Sequence, residues 1–230
     1  MNAVTLSNIQ LNQPIFKTNF PLINRKKLRR FRKHSSLVIE TSVEVQGQTV
    51  SGEIESVSRR LILLRHAESS WEDRSLRDHD RPLSKAGKDD AVKVAQKLQQ
   101  SGWIPQLILS SDALRTRETL KIMQEQVQGF LEAEVRYVSS FYSIAAMDGQ
   151  TAEHLQQVIC KYSGDDILTV MCMGHNRGWE EAASMLTGVS VELKTCNAAL
   201  LETIGKSWTE AFASAGLGGW KLLGIVKPNS

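Results

Sequence analysis

The chain has 230 residues, 41% of them hydrophobic and 23% charged. That is enough apolar content for a sizeable core at an ordinary charge density. Its net charge of +3 is unevenly spread: residues 1–39 hold eight of the 28 Lys and Arg and none of the 25 Asp and Glu, so the remainder is net −5 with 20 basic against 25 acidic groups. A mildly acidic body argues against nucleic acid as the main partner. No apolar run approaches the length of a membrane span. Three cysteines, Cys160, Cys172 and Cys196, have no close paired spacing. They fit neither a disulfide framework nor a zinc site and read as buried free thiols.

Residues 1–40 read as a removable segment. Up to Ile39 they lack acids, and they carry Asn, Ser and Thr and the basic cluster Arg25 to Lys33. That composition matches an organelle transit peptide, and no continuous apolar stretch follows an N-terminal charge as a secretory signal would require. The late placement of charge points to the chloroplast rather than the mitochondrion, which is the alternative destination. A nuclear-localisation or RNA-binding arm built on Arg25–Lys33 is the rival reading. Residues 41–58 read as a flexible lead-in with one weak edge strand around Val43–Val50. The main domain is expected over residues 59–230.

Leu61-Ile62-Leu63-Leu64 is a short, wholly apolar run, the pattern of a strand buried on both faces. Arg65 and His66 emerge at its carboxyl end, where open α/β sheets bind ligands. A cation beside an imidazole there suits holding a phosphate and attacking it, although the pair taken alone fits a solvated strand end equally well. The charged stretch from Ser70 to Pro82 reads as a loop over the site. Ser84 is a candidate N-cap for a helix whose apolar face is Ala91, Val92, Val94, Ala95 and Leu98, ending at Gly102. A strand over Leu107–Leu109 delivers Ser110, Ser111 and Asp112. A helix then starts near Ala113, which puts Arg115 in its first turn. Backbone N–H groups and the helix dipole favour an anion there, so a phosphate accounts for a cation in that place. An ion pair with a neighbouring carboxylate is the other account. Arg117 points elsewhere by helical geometry and reads as a surface charge.

Further on, Val135–Val138 reads as a short strand and Ala145–Cys160 as a helix on which His154 packs. Ile167–Met173 is another apolar strand, capped by Gly174-His175-Asn176. Trp179–Leu186 reads as a helix ending near Gly188. Ala198–Ile204 and Trp220–Ile225 read as closing strands, with Gly216-Leu217-Gly218-Gly219 as the turn between them.

Three segments in this order carry a family resemblance. Arg65-His66-Ala67-Glu68 resembles the Arg-His-Gly signature of the histidine phosphatase (phosphoglycerate mutase-like) superfamily. Ser111 to Thr119, with Arg115, resembles its Ser-x-x-x-Arg-x-x-x-Thr segment. Gly174-His175-Asn176 resembles its late Gly-His segment. Asp80-Arg81-Pro82-Leu83-Ser84-Lys85-Ala86-Gly87 resembles the small SixA-like branch, whose namesake acts on phosphohistidine. The resemblance implies a three-layer α/β/α sandwich with a mainly parallel sheet, Leu61–Leu64 central and flanked by the strands beginning near Leu107 and Ile167. It also implies a metal-independent phosphohydrolase with no cofactor. His66 would be the nucleophile, forming a phosphohistidine, and His175 its electrostatic partner. Arg65 and Arg115 would grip the phosphate, with Arg81 as a further contact. The substrate would be a phosphoprotein or a small phosphate ester. A phosphoglycerate mutase-like sugar phosphatase, or a phospho-recognition module using the same pocket, are the alternatives.

The chain departs from the family pattern in several places. Ala67 replaces the signature glycine, Glu72 stands where mutase-like members have Asn, and Arg177 replaces a proline. The Glu that serves as general acid is absent around Val138–Tyr142. An alkoxide leaving group needs a proton donor, whereas a histidine leaving group needs little help, so the absence fits the SixA-like branch. Glu68, Glu72, Asp73 and Asp112 are the other candidate donors.

Overall fold

A computed structural model describes residues 56–229. The transit-peptide and weak-strand readings of residues 1–40 and 43–50 lie outside them. The elements in chain order are β1 (Val57–Arg65), α1 (Lys85–Gln100), β2 (Leu107–Ser110), α2 (Leu114–Gln126), α3 (Gln128–Glu132), β3 (Glu134–Tyr137) and α4 (Ser140–Ile144). There follow α5 (Thr151–Tyr162), β4 (Thr169–Gly174), α6 (Gly178–Thr187), β5 (Ala198–Gly205), α7 (Trp208–Ala215) and β6 (Lys221–Val226). The six strands form one sheet in the order β3-β2-β4-β1-β5-β6. The pairings β2–β3, β2–β4 and β1–β4 are parallel, and only β5 runs against its neighbours.

Strand alternation divides the core into two layers. Leu61, Leu63, Leu107, Leu109, Val170, Cys172, Ala199 and Leu201 face one side, where α4, α5, α6 and α7 cover them. Ile62, Leu64, Ile108, Met171, Met173, Ala198 and Leu200 face the other, under α1, α2 and α3. The sandwich is thus three layers deep. Leu61 to Leu64 are all fully buried, which is why this stretch is apolar at every position rather than alternating. Each such side chain contributes about 1.5–3 kcal/mol by leaving water.

Several details differ from the sequence expectation. Leu61–Leu64 is central, but its neighbours are β4 and β5; β2 lies one place further out, beyond β4. The first strand also begins at Val57, inside the stretch read as a lead-in. Arg59 explains the extension. Its guanidinium is buried and donates to the carbonyls of Gly205 at 3.2 Å, Asp165 at 2.7 Å and Ile167 at 2.8 Å, and to that of Lys206. Those partners come from two distant loops, so no local pattern announces them.

Of the helix read over Ala145–Cys160 only the part from Thr151 forms, as α5; residues 145–150 link it to α4, which ends at Ile144. Gly149, at φ +77, sits in the turn that separates them, and its N–H donates to Glu181 of α6. A left-handed backbone there interrupts the helix. Between β5 and β6 the chain forms α7 as well as the glycine turn. Ser207 caps α7 by accepting from Glu210 N at 3.0 Å. Trp208, Phe212 and Trp220 pack together, with Trp208 and Trp220 stacked at 6.3 Å. Cys172 and Cys196 are buried free thiols as expected, and Cys160 is half-buried.

Candidate active site

Sheet register brings the two signature histidines together. In the parallel pair β1–β4, Arg65 lies opposite Gly174. His66 and His175 are the next residue on each strand, and His66 N donates to Gly174 O at 3.1 Å. Their ring centroids are 5.1 Å apart. On the other side of β4, Ser111 N donates to Met173 O at 2.9 Å, so the end of β2 joins the same rim. The site therefore sits at the carboxyl ends of β1, β4 and β2, as the sheet rule requires.

Both histidines are buried, and their tautomers follow from their partners. His66 Nδ1 lies 2.7 Å from Ala67 O. A carbonyl only accepts, so Nδ1 carries the hydrogen and Nε2 presents its lone pair. Arg115 Nε donates to that lone pair at 3.1 Å. His175 Nδ1 faces Arg115 Nη2 at 3.2 Å, and a guanidinium only donates. Its Nε2 therefore holds the hydrogen and donates to Ser111 Oγ at 2.8 Å. Burial, with smaller effects of Arg115, Arg65 and Arg81, pushes the His66 imidazolium down to about 3. Burial, then His66 and Arg115, pushes His175 down to about 2. Near neutral pH both rings are therefore neutral, and His66 Nε2 is unprotonated.

Arg115 is the second residue of α2 and is buried. Thr119, four residues on and hence on the same helix face, fixes it: Thr119 Oγ1 donates to Arg115 O at 2.7 Å and accepts from Ala67 N at 3.1 Å. The Arg-x-x-x-Thr spacing thus ties α2 to Ala67, the residue after His66. Of the two accounts of Arg115 given by the sequence, the ion pair with a carboxylate is present, to Asp78 at 2.9 Å, and the side chain also faces the histidine pair.

Asp78 belongs to the charged loop and was not singled out from sequence. Its carboxylate binds Arg115 Nη2 and Arg81 Nη2 and accepts from Tyr142 Oη at 2.8 Å. Tyr142 stands edge-on to His175 at 5.3 Å and to His79 at 5.0 Å. His79 Nε2 lies 3.1 Å from Asp112 Oδ1. Asp78 and Tyr142 are 64 positions apart, so no spacing could reveal the contact. The loop itself was legible as a covering segment. Its ends are closed by a Ser69–Leu83 bridge and by Ser70 N donating to Pro82 O at 2.8 Å.

Arg65, His66, Arg115 and His175 come together as expected. Arg65 donates Nη1 to Leu193 O at 2.9 Å, while its buried Nε has no hydrogen-bond partner among the described residues. Burial lowers the affinity of both Arg65 and Arg115 for their protons. Arg81 is 8% exposed, and its Nε and Nη1 also lack a partner among the described residues. Buried guanidinium nitrogens without acceptors are costly and suit an incoming anion. Of the candidate proton donors, Glu68, Glu72 and Asp73 are exposed, and Asp112 is engaged with His79. Arg177 is exposed and lines a cleft of about 320 Å³ with Asp148, Glu180 and Glu181. Arg117 is exposed under the Tyr137 ring, and His154 packs on Phe141 with its Nε2 2.8 Å from Ser140 Oγ, both as read from sequence. Among the described residues no group of three or more His, Cys, Asp and Glu could hold a metal ion.

Comparison with known proteins agrees with this geometry. Residues 61–161 match the histidine phosphatase superfamily (branch 1). An uncharacterised chloroplastic protein of Arabidopsis thaliana is 73% identical over 175 residues, covering 76% of this chain and 80% of the relative. Among solved structures, a candidate phosphohistidine phosphatase SixA of Agrobacterium tumefaciens superposes with a TM-score of 0.56 at 24% identity, covering 74% of this chain and 99% of that one. A second candidate SixA, from Nakamurella multipartitia, does so at 0.60 and 22% identity, covering 76% and 98%. At such identities the two structures establish the fold.

Proposed function

We propose, since this chain belongs to the histidine phosphatase superfamily, that it is a metal-independent phosphohydrolase acting through a phosphohistidine on His66. The observation that carries the reading is the His66 ring: Nδ1–H is held by Ala67 O, and Nε2 is unprotonated, its lone pair accepting from Arg115 Nε. A phosphoryl group seated on Arg65, Arg115 and Arg81 would have its charge neutralised by guanidinium groups already gathered at the rim, Arg115 turning from the His66 lone pair and Asp78 to the phosphoryl oxygens. His66 Nε2 would then form a bond to phosphorus as the bond to the leaving group breaks, and the leaving group takes the electron pair and a proton from solvent. Water next attacks the phosphorus. The N–P electron pair returns to Nε2, a proton passes to solvent and inorganic phosphate departs. Dividing one displacement into two is the general gain of a covalent intermediate. His175, uncharged near neutral pH, would take a proton when a dianion arrives and donate it as a hydrogen bond.

The favoured substrates are those with a good leaving group, phosphohistidine in a protein among them. Two features support this. Ser139, Ser140, Phe141 and Tyr142 occupy the stretch where the family's general acid stands. Asp78, the carboxylate that touches Arg115, is committed to two arginines and a phenol. The chloroplastic name of the Arabidopsis relative supports the transit reading of residues 1–40. A fusion of residues 1–45 to a reporter should enter chloroplasts, and nuclear accumulation would instead support a basic arm.

Rapid quenching after mixing with a labelled phospho-substrate tests the mechanism. The label should lie on His66 in an acid-labile, base-stable linkage, and His66→Ala should abolish both label and turnover. Turnover that survives in His66→Ala would end the reading.

A further inference from the structure

Trp71 stands out in the charged loop. It is 65% exposed, yet one face of its ring is fixed, with the Arg81 guanidinium 3.7 Å from the ring centroid. Its other face is open to solvent. Arg81 is itself held: it is nearly buried, and Asp78 takes its Nη2. The pinned base of the loop fixes the backbone between Ser69 and Leu83. Trp71 is therefore an ordered platform, not a side chain free in solvent.

Its position relative to the reacting atoms follows from the same chain of contacts. Arg81 has two nitrogens without a partner among the described residues and shares Asp78 with Arg115, and Arg115 touches His66 Nε2. An anion that satisfies Arg81 and Arg115 brings its phosphorus to His66 on one side. In-line transfer puts its leaving group on the side away from His66, and the loop that carries Asp78 and Trp71 is the candidate wall on that side. We propose that the open face of Trp71 is a specificity platform that stacks on a planar leaving group, an imidazole or an aryl ring. The proposal rests on the phosphatase reading above and narrows its substrate class. An indole face attracts another ring by offset stacking, and a flat aliphatic or a small leaving group gains nothing comparable. The Arg81 guanidinium beneath the indole both orients it and binds the phosphoryl group, so one stack would read the anion and the ring together.

Binding of two non-hydrolysable anions, phenylphosphonate and methylphosphonate, tests this by calorimetry without requiring turnover. The native protein should bind phenylphosphonate roughly tenfold more tightly, in the range of an aromatic pair. Trp71→Phe should keep most of that preference, and Trp71→Leu should erase it. Equal affinities in the native protein, or a preference retained in Trp71→Leu, would overturn the proposal. A parallel loss for both anions in Trp71→Leu, with the ratio kept, would mean that Trp71 only holds Arg81, which also overturns it. Failure of the His66 labelling experiment leaves this readout intact, so the two ideas stand or fall separately.

Discussion

Arg115 Nε donates to His66 Nε2 at 3.1 Å, so the proposed phosphate clamp and the proposed nucleophile are in direct contact. The contact holds the imidazole in the tautomer that attacks and repels a proton from it. Arg115→Ala should therefore lose activity in two ways, through charge and through ring orientation. A fall in kcat/KM of about 10²-fold or more is expected, the range for removing one charge-stabilising donor. Arg115→Lys restores charge but not the fork that spans His66, His175 and Asp78, so it should rescue only partly. Full rescue by Lys in steady-state kinetics would show that charge alone matters.

Asp78 competes with substrate for the same guanidinium groups. Replacing it with Asn keeps the shape and removes the charge. Inorganic phosphate should then inhibit Asp78→Asn more tightly than the native protein, by roughly tenfold for the loss of one competing charge pair. The inhibition constant measures this directly. Weaker phosphate inhibition in Asp78→Asn would mean that Asp78 orients the arginines rather than occupying them.

The histidine pair makes stability depend on pH. Burial holds both imidazolium forms far below their ordinary value of 6.5, His66 at about 3 and His175 at about 2. The unfolded chain takes up these protons below about pH 6.5, while the folded chain does not. Stability from the pair is therefore complete above that pH and drains away as pH falls toward 3. Thermal melts between roughly pH 7 and pH 4 should show a shallower decline in His66→Gln/His175→Gln than in the native protein. Bound phosphate should also flatten the native curve, because a dianion favours the charged rings. Parallel curves for native and variant proteins would place the acid sensitivity elsewhere.

Gly174 is required by packing rather than by an unusual backbone angle. A Cβ built there would lie 2.3 Å from the buried ring of Trp179, whose Nε1 donates to Cys172 O at 3.0 Å and so cannot swing away. Gly174→Ala should destabilise the fold by about 1–3 kcal/mol or more, the cost of overpacking a core. It should also displace His175 and reduce activity in the fraction that still folds. An unchanged melting temperature would contradict the packing account.

The sequence by itself determined which strand ends carry the candidate site residues, while the family resemblance supplied their roles. A short all-apolar run reads as a strand buried on both faces, and charged residues at its end then lie at the sheet's rim. That logic placed His66, Ser111 and His175 at three strand ends without coordinates. The Arg115–Thr119 spacing is likewise local, because four residues make one turn of helix. Only the tertiary structure decided the contacts between segments that are distant in the chain. Arg59 is stapled to the loops around Asp165 and Lys206, β5 takes the place beside β1, and Asp78 bridges Arg115, Arg81 and Tyr142. Such contacts form where the fold brings the segments together, and they leave no period or spacing in the sequence. For the same reason the charged loop read from composition as a cover over the site, while the partners of each charge within it emerged only once β1, α2 and α4 had packed.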